Sequence, residues 1–222
     1  MGTITRSFAN NITTSGVLLP ASLTNNSIAN VTAYNAAIAT GNMVLISSQT
    51  ASSSASISFT TGINSTYKEY QFYFINIHPS SDGNTFQFQG STDGGSTYAT
   101  AITSSFFKAM HNEADTSTPF EYVANSDLAQ GTGFQCINEL NDLGADNDQN
   151  LSGTLTLYNP SSTVYVKHFI STTNITHSGD YTSNNYLAGY FNTTSAINAI
   201  QFKMASGNID DGIIKLYGVK KS

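Results

Sequence analysis

EYQFYFINIH, residues 69–78, reads as a β-strand and as little else. Successive side chains of an extended chain point to opposite faces. Tyr70, Phe72 and Phe74 therefore share one face, and Tyr73, Ile75 and Ile77 share the other. Aromatic and β-branched residues fit a pleated, packed surface. Apolar residues on both faces predict a central strand between two covering layers.

Similar segments extend along the chain in both directions. MVLISSQT (43–50) and ASISFTTGI (55–63) precede the stretch. NTFQFQGS (84–91) follows it, with Phe86 and Phe88 predicted inward and Gln87 and Gln89 outward. Later come SGTLTLYNP (152–160), TVYVKHFIST (163–172), NYLAGYFNT (185–193), AIQFKMAS (199–206) and GIIKLYGV (212–219). Pro79, Pro119 and Pro160 fall at strand ends, where a missing N–H does least harm. Helix signals are sparse: SDLAQGTGF (126–134) and AYNAAIAT (33–40) each suit one turn.

Many short strands with regular turn signals predict an all-β fold, an antiparallel β-sandwich of jelly-roll-like form over residues 43–222. Its expected inward set is Ile57, Phe59, Phe72, Phe74, Phe86, Phe88, Leu155, Leu157, Phe202 and Leu216. The last two segments flank GNIDDG and read as a closing hairpin, with Ile200, Phe202 and Met204 beside Ile214 and Leu216.

Residues 1–42 are different. Phe8, Ile12, Leu18, Leu19, Leu23, Ile28 and Val31 are single and spaced among Asn, Ser and Thr. They are too sparse for a core and too regular for a solvated leader. An extended N-terminal arm that gains order on a partner is the expectation, and it serves as the attachment segment.

The chain has 222 residues, and only 10% of them are charged, against roughly 25% in an average domain. Ser, Thr, Asn and Gly take the place of charge. Net charge is −6, and the eight basic residues form no stripe, which argues against a nucleic-acid partner. No apolar run reaches the ~18 residues of a membrane-spanning helix, and the N-terminus lacks the pattern of a signal peptide. A protein made in the cytoplasm, without membrane insertion, is expected. Cys136 is the one cysteine, so no internal disulfide forms, and it reads as a small buried hydrophobe.

Motifs for chemistry are weak. STDGGSTY (91–98) has the Ser-x-Asp-x-Gly-x-Thr-aromatic form of the Asp-box, in which the Asp side chain bonds backbone N–H groups of a turn. Asp146, Asp148 and Asn150 match the opening of an EF-hand loop, which makes them a weak Ca²⁺ candidate. The match then fails, with Leu151 in place of Gly and Leu157 in place of Glu. Together with Asp142 they read first as an exposed acidic loop. His111, Glu113 and Asp115 sketch an acid/base group, but near neighbours in sequence rarely converge unless a fold aims them. His78, His111, His168 and His177 show no metal spacing. Tyr165, Tyr181, Tyr186 and Tyr190 are candidates for stacking on sugars, with sheet-face packing as the plainer reading. No catalytic or cofactor motif emerges, and the expectation is a protein that is not an enzyme.

Three stretches carry a resemblance: GTITRSFANNITTSGV (2–17), SSSASISFTTGINSTYKEYQFYFINIHPSSD (52–82) and AGYFNTTSAINAIQFKMASGNIDDGIIKLYGVK (188–220). In these the chain resembles small virion-associated structural proteins of marine tailed bacteriophages that infect cyanobacteria and related ocean bacteria. The resemblance implies a tail fibre, appendage or capsid decoration located in the virion, with other virion proteins as partners. It supplies no catalytic residue. A homotrimer is expected by analogy with phage appendages, and a host surface glycan is the alternative partner.

Overall fold

The computed structural model describes residues 42–220. The expected arm, with Phe8, Ile12, Leu18, Leu19, Leu23, Ile28 and Val31, lies outside the described residues, as does the turn at 33–40. Among the described residues there is no helix. There are thirteen strands: β1 Met43–Thr50, β2 Ile57–Phe59, β3 Glu69–Pro79, β4 Phe86–Ser91, β5 Ile102–Asn112, β6 Phe120–Tyr122, β7 Ala129–Gly131, β8 Gln135–Cys136, β9 Leu151–Tyr158, β10 Lys167–His177, β11 Tyr181–Phe191, β12 Ala199–Met204 and β13 Ile209–Val219.

Their pairing makes an antiparallel β-sandwich with unequal sheets. Nine strands form one sheet in the order β1-β13-β3-β9-β10-β11-β5-β6, with β7 also on β5. Four form the other, β2-β12-β4-β8. All ten predicted inward residues are buried. Phe202 of β12 holds the centre, with the rings of Phe59, Phe72, Phe74, Phe86 and Phe88 at centroid distances of 5.1–6.4 Å. Each fully buried Phe contributes about 1.5–3 kcal/mol of transfer free energy.

The central stretch is covered on one face. Tyr70, Phe72 and Phe74 pack toward the small sheet, whereas Tyr73 is half-buried and Ile75 exposed on the solvent side. Ile77 does not join Ile75. Asn76 takes φ 51°, the β3–β9 register shifts between Phe74 and Ile77, and Ile77 returns to the core. This bulge adds one residue and so reverses the alternation beyond it. On β13, Gly212 (φ +123°) lies against it: a Cβ there would meet Asn76 O at 2.7 Å.

Other expectations change with the tertiary context. β12 and β13 are not a hairpin: β12 pairs with β2 and β4, and β13 pairs with β1 and β3 in the other sheet. The chain crosses between sheets after Met204. Phe202 and Leu216 still share the core, because facing each other across two sheets buries them as fully as lying side by side. Gln89 is buried rather than outward, donating to the carbonyls of Thr132 (3.2 Å) and Gly133 (2.7 Å), since a loop covers the small sheet there. SDLAQGTGF is not helical; its middle forms β7 along β5, with Gln130 at φ 54°.

Candidate functional site

The Asp-box segment is a turn leaving β4. The Ser91 hydroxyl donates to Asp93 Oδ1 (2.6 Å) and accepts from the Gly95 N–H (2.9 Å). Thr97 donates its N–H to Asp93 Oδ1 (2.9 Å) and its hydroxyl to Oδ2 (2.7 Å). These bonds, that of Ser91 first, hold the Asp93 carboxyl down at about 2. Both carboxylate oxygens are engaged within the turn, which gives it a structural role.

The acidic loop divides. Asp146 and Asp148 are exposed, and Asn150 is half-buried. Asp146 closes a short turn, its carbonyl accepting from the Gln149 N–H at 2.9 Å. Asp142 instead points inward and is buried. There it meets Lys108, whose Nζ lies 3.4 Å from Asp142 Oδ2, 3.4 Å from Glu121 Oε1 and in direct contact with Glu139 Oε2. His177 Nε2 is 3.2 Å from Asp142 Oδ1. Three carboxylates thus converge on one buried ammonium, which offsets part of their charge and itself occupies the cation position between them. Among the described residues, no group of three or more His, Cys, Asp or Glu is arranged to hold a metal ion. Sequence reading missed this cluster because its members come from four segments, β5, β6, the loop after β8 and β10. The available signal was Lys108 itself, which alternates with Phe106 at an inward position of β5.

Lys167 is a second buried lysine. Its Nζ donates to the carbonyls of Tyr165 (2.8 Å) and Thr193 (3.0 Å), and burial pushes its pKa down. Burial likewise raises the Cys136 thiol above its ordinary value. The thiol therefore stays protonated, as a packing group does.

His111 and Asp115 do meet, with Nε2 and Oδ1 3.1 Å apart, but both are exposed. Glu113 lines the same shallow groove of about 190 Å³, with Thr176 and Tyr181. His78 sits against the Asp146 carbonyl at 3.3 Å.

The larger concavity, about 420 Å³, lies on the solvent side of the nine-stranded sheet. Three consecutive residues from each of β5, β10 and β11 form it, centred on Gly189. Gly189 is required there: a Cβ would meet Phe169 Cζ at 2.7 Å and the Thr103 carbonyl at 2.6 Å. Ala188 leaves a low floor between Tyr186 and Tyr190, which share its face of β11. Phe107 stacks on Tyr186 at 4.9 Å, and His168 sets its edge against Tyr190 at 5.8 Å. Of the four tyrosines singled out in the sequence, these two are brought to one surface. Tyr181 packs on His177, and Tyr165 is exposed elsewhere. No family model, curated protein or solved structure matches this chain.

Proposed function

We propose that this protein is a non-enzymatic structural protein of a bacteriophage virion, displayed on the particle surface as a tail appendage or capsid decoration. Residues 1–42 attach it, and the sandwich faces outward as a homotrimer. The observation that carries the reading is the solvent side of the nine-stranded sheet and its edge. Ile75, Phe107, Phe120, Tyr122 and Ile170 are exposed there, Phe120 at 72% and Tyr122 at 58%. Large exposed apolar residues in a charge-poor setting suit contact with another surface. The resemblance to virion-associated proteins adds the particle as the setting.

Deletion of residues 2–42 tests the polarity. The remaining domain is expected to melt cooperatively, while its incorporation into particles falls to background. Loading at normal copy number would place the attachment surface on the sandwich instead. Light scattering of the intact chain tests the trimer, and a monomer at micromolar concentration would exclude it. A second reading, a carbohydrate-binding module, is favoured by the trough between Tyr186 and Tyr190.

A further inference from the structure

We infer that the trough over Ala188 is a binding subsite for a neutral carbohydrate. Tyr186 and Tyr190 are four residues apart on one strand, about 13 Å along it at the usual rise. Each ring already has a partner that fixes its orientation, Phe107 for Tyr186 and His168 for Tyr190. A ring held in place loses little entropy when a ligand stacks on it. Between them Ala188 is exposed and small, so the floor is open to a flat apolar ring face.

Polar groups stand where sugar hydroxyls need them. Ser105 and Ile170 flank Ala188 on either side, and Thr103 and His168 flank Tyr190. Among the described residues the Ser105 hydroxyl, the Tyr190 hydroxyl and the His168 ring nitrogens have no hydrogen-bond partner. Thr103 Oγ1 accepts twice from Gln130 and keeps its own proton to donate. This is the mixture a small-ligand site uses, apolar walls with a few directed polar groups.

Charge decides the ligand class. The solvent-side positions of β5, β10 and β11 carry no Asp, Glu, Lys or Arg over their whole length. An anionic sugar, a phosphate or a basic peptide would meet no counter-charge there. A pyranose offers an apolar C–H face to the rings and neutral hydroxyls to Ser105, Thr103 and His168. The inference deepens the reading of the protein as a displayed module, but it is tested on the isolated chain. Its failure leaves particle incorporation untouched.

The test titrates the purified protein with cello-, laminari-, manno- and galacto-oligosaccharides, with a heparin oligosaccharide as the anionic control. The chain has no Trp, so tyrosine emission reads the site without background from indole, and calorimetry supplies the affinity. At least one neutral series is expected to saturate at millimolar concentration or below. Tyr190→Ala should weaken it by roughly tenfold, the loss of one aromatic anchor. Ala188→Arg, at an exposed position, should abolish it while melting like the parent. Three outcomes overturn the inference: no neutral series binding up to about 10 mM, binding that survives Ala188→Arg, or binding of heparin alone. Ala188→Arg acting only by dissolving a self-associated form would also overturn it, and would make the face a contact between copies.

Discussion

The inner face of the nine-stranded sheet has two halves covered in different ways. Under the four-stranded sheet the covering is a phenylalanine cluster around Phe202 with no polar atom in it. Under the loops between β7 and β9 the inward positions of β5 and β10 carry Lys108, Ser104 and Thr173 instead. A covering strand satisfies its backbone through its own neighbours, so side chains beneath it are free to be apolar. A covering loop brings unpaired N–H and C=O groups, which need partners once buried. Thr173 accordingly donates to the Ile137 carbonyl (3.2 Å), and the Ser104 hydroxyl accepts from the Leu128 N–H (2.9 Å). Asn138 accepts from the Phe86 N–H (2.7 Å) and donates to the Glu139 carbonyl (2.8 Å). Lys167 does the same for the carbonyls of Tyr165 and Thr193. The lesson is that the covering element, more than depth, decides whether an inward strand position is apolar.

The largest expected effect breaks the apolar half. Phe202→Ala removes a ring shared by five others and should cost about 3–5 kcal/mol in chemical denaturation. An unchanged midpoint would show that the small sheet does not hold the core. Next, Lys108→Met strands Glu139 and Asp142 without their cation, and the loss should be about 3 kcal/mol. Adding Glu139→Gln and Asp142→Asn should recover part of it. A single substitution without effect would mean that the cluster is solvated. Asn138→Leu removes the side-chain partner of the Phe86 N–H and the Glu139 carbonyl, while the Asn84 carbonyl keeps the Leu143 N–H, at a cost of about 2 kcal/mol. If it stabilises the protein, loop covering imposes no polar requirement.

The smallest effect is at Asp93, where the same capping of loop backbone takes place at the surface. Its carboxyl sits at about 2 in the folded chain, below the ordinary 3.8. Protonation is therefore harder in the folded state, and the contribution is complete above about pH 4 and lost as pH falls through about 2. Asp93→Asn should lower the melting temperature slightly at neutral pH, and the gap from the parent should close near pH 2. A gap that persists there would assign the effect to shape rather than charge.

Alternation alone located β1 to β4, β9 to β13 and all ten core residues, because each side chain's face follows locally from strand period and burial rewards that pattern; β5 to β8 were not located, the inward Lys108 interrupting the apolar pattern of β5 and the other three being two or three residues long. The turn at Asp93 was legible for the same reason: its donors and acceptors all lie within residues 91–97. The bulge at Asn76 was not, since an inserted residue is visible only against the partner register of β9 and β13. Of the candidate site, Tyr186 and Tyr190 were legible as aromatic positions. Their joining with Ser105 and His168 was not, nor was the convergence of Glu121, Glu139 and Asp142 on Lys108 with His177 behind Asp142. Pairing between strands distant in sequence depends on which edges remain open after the others have formed. That is a property of the assembled sheets, and for the same reason β12 and β13, adjacent in the chain, end in different sheets.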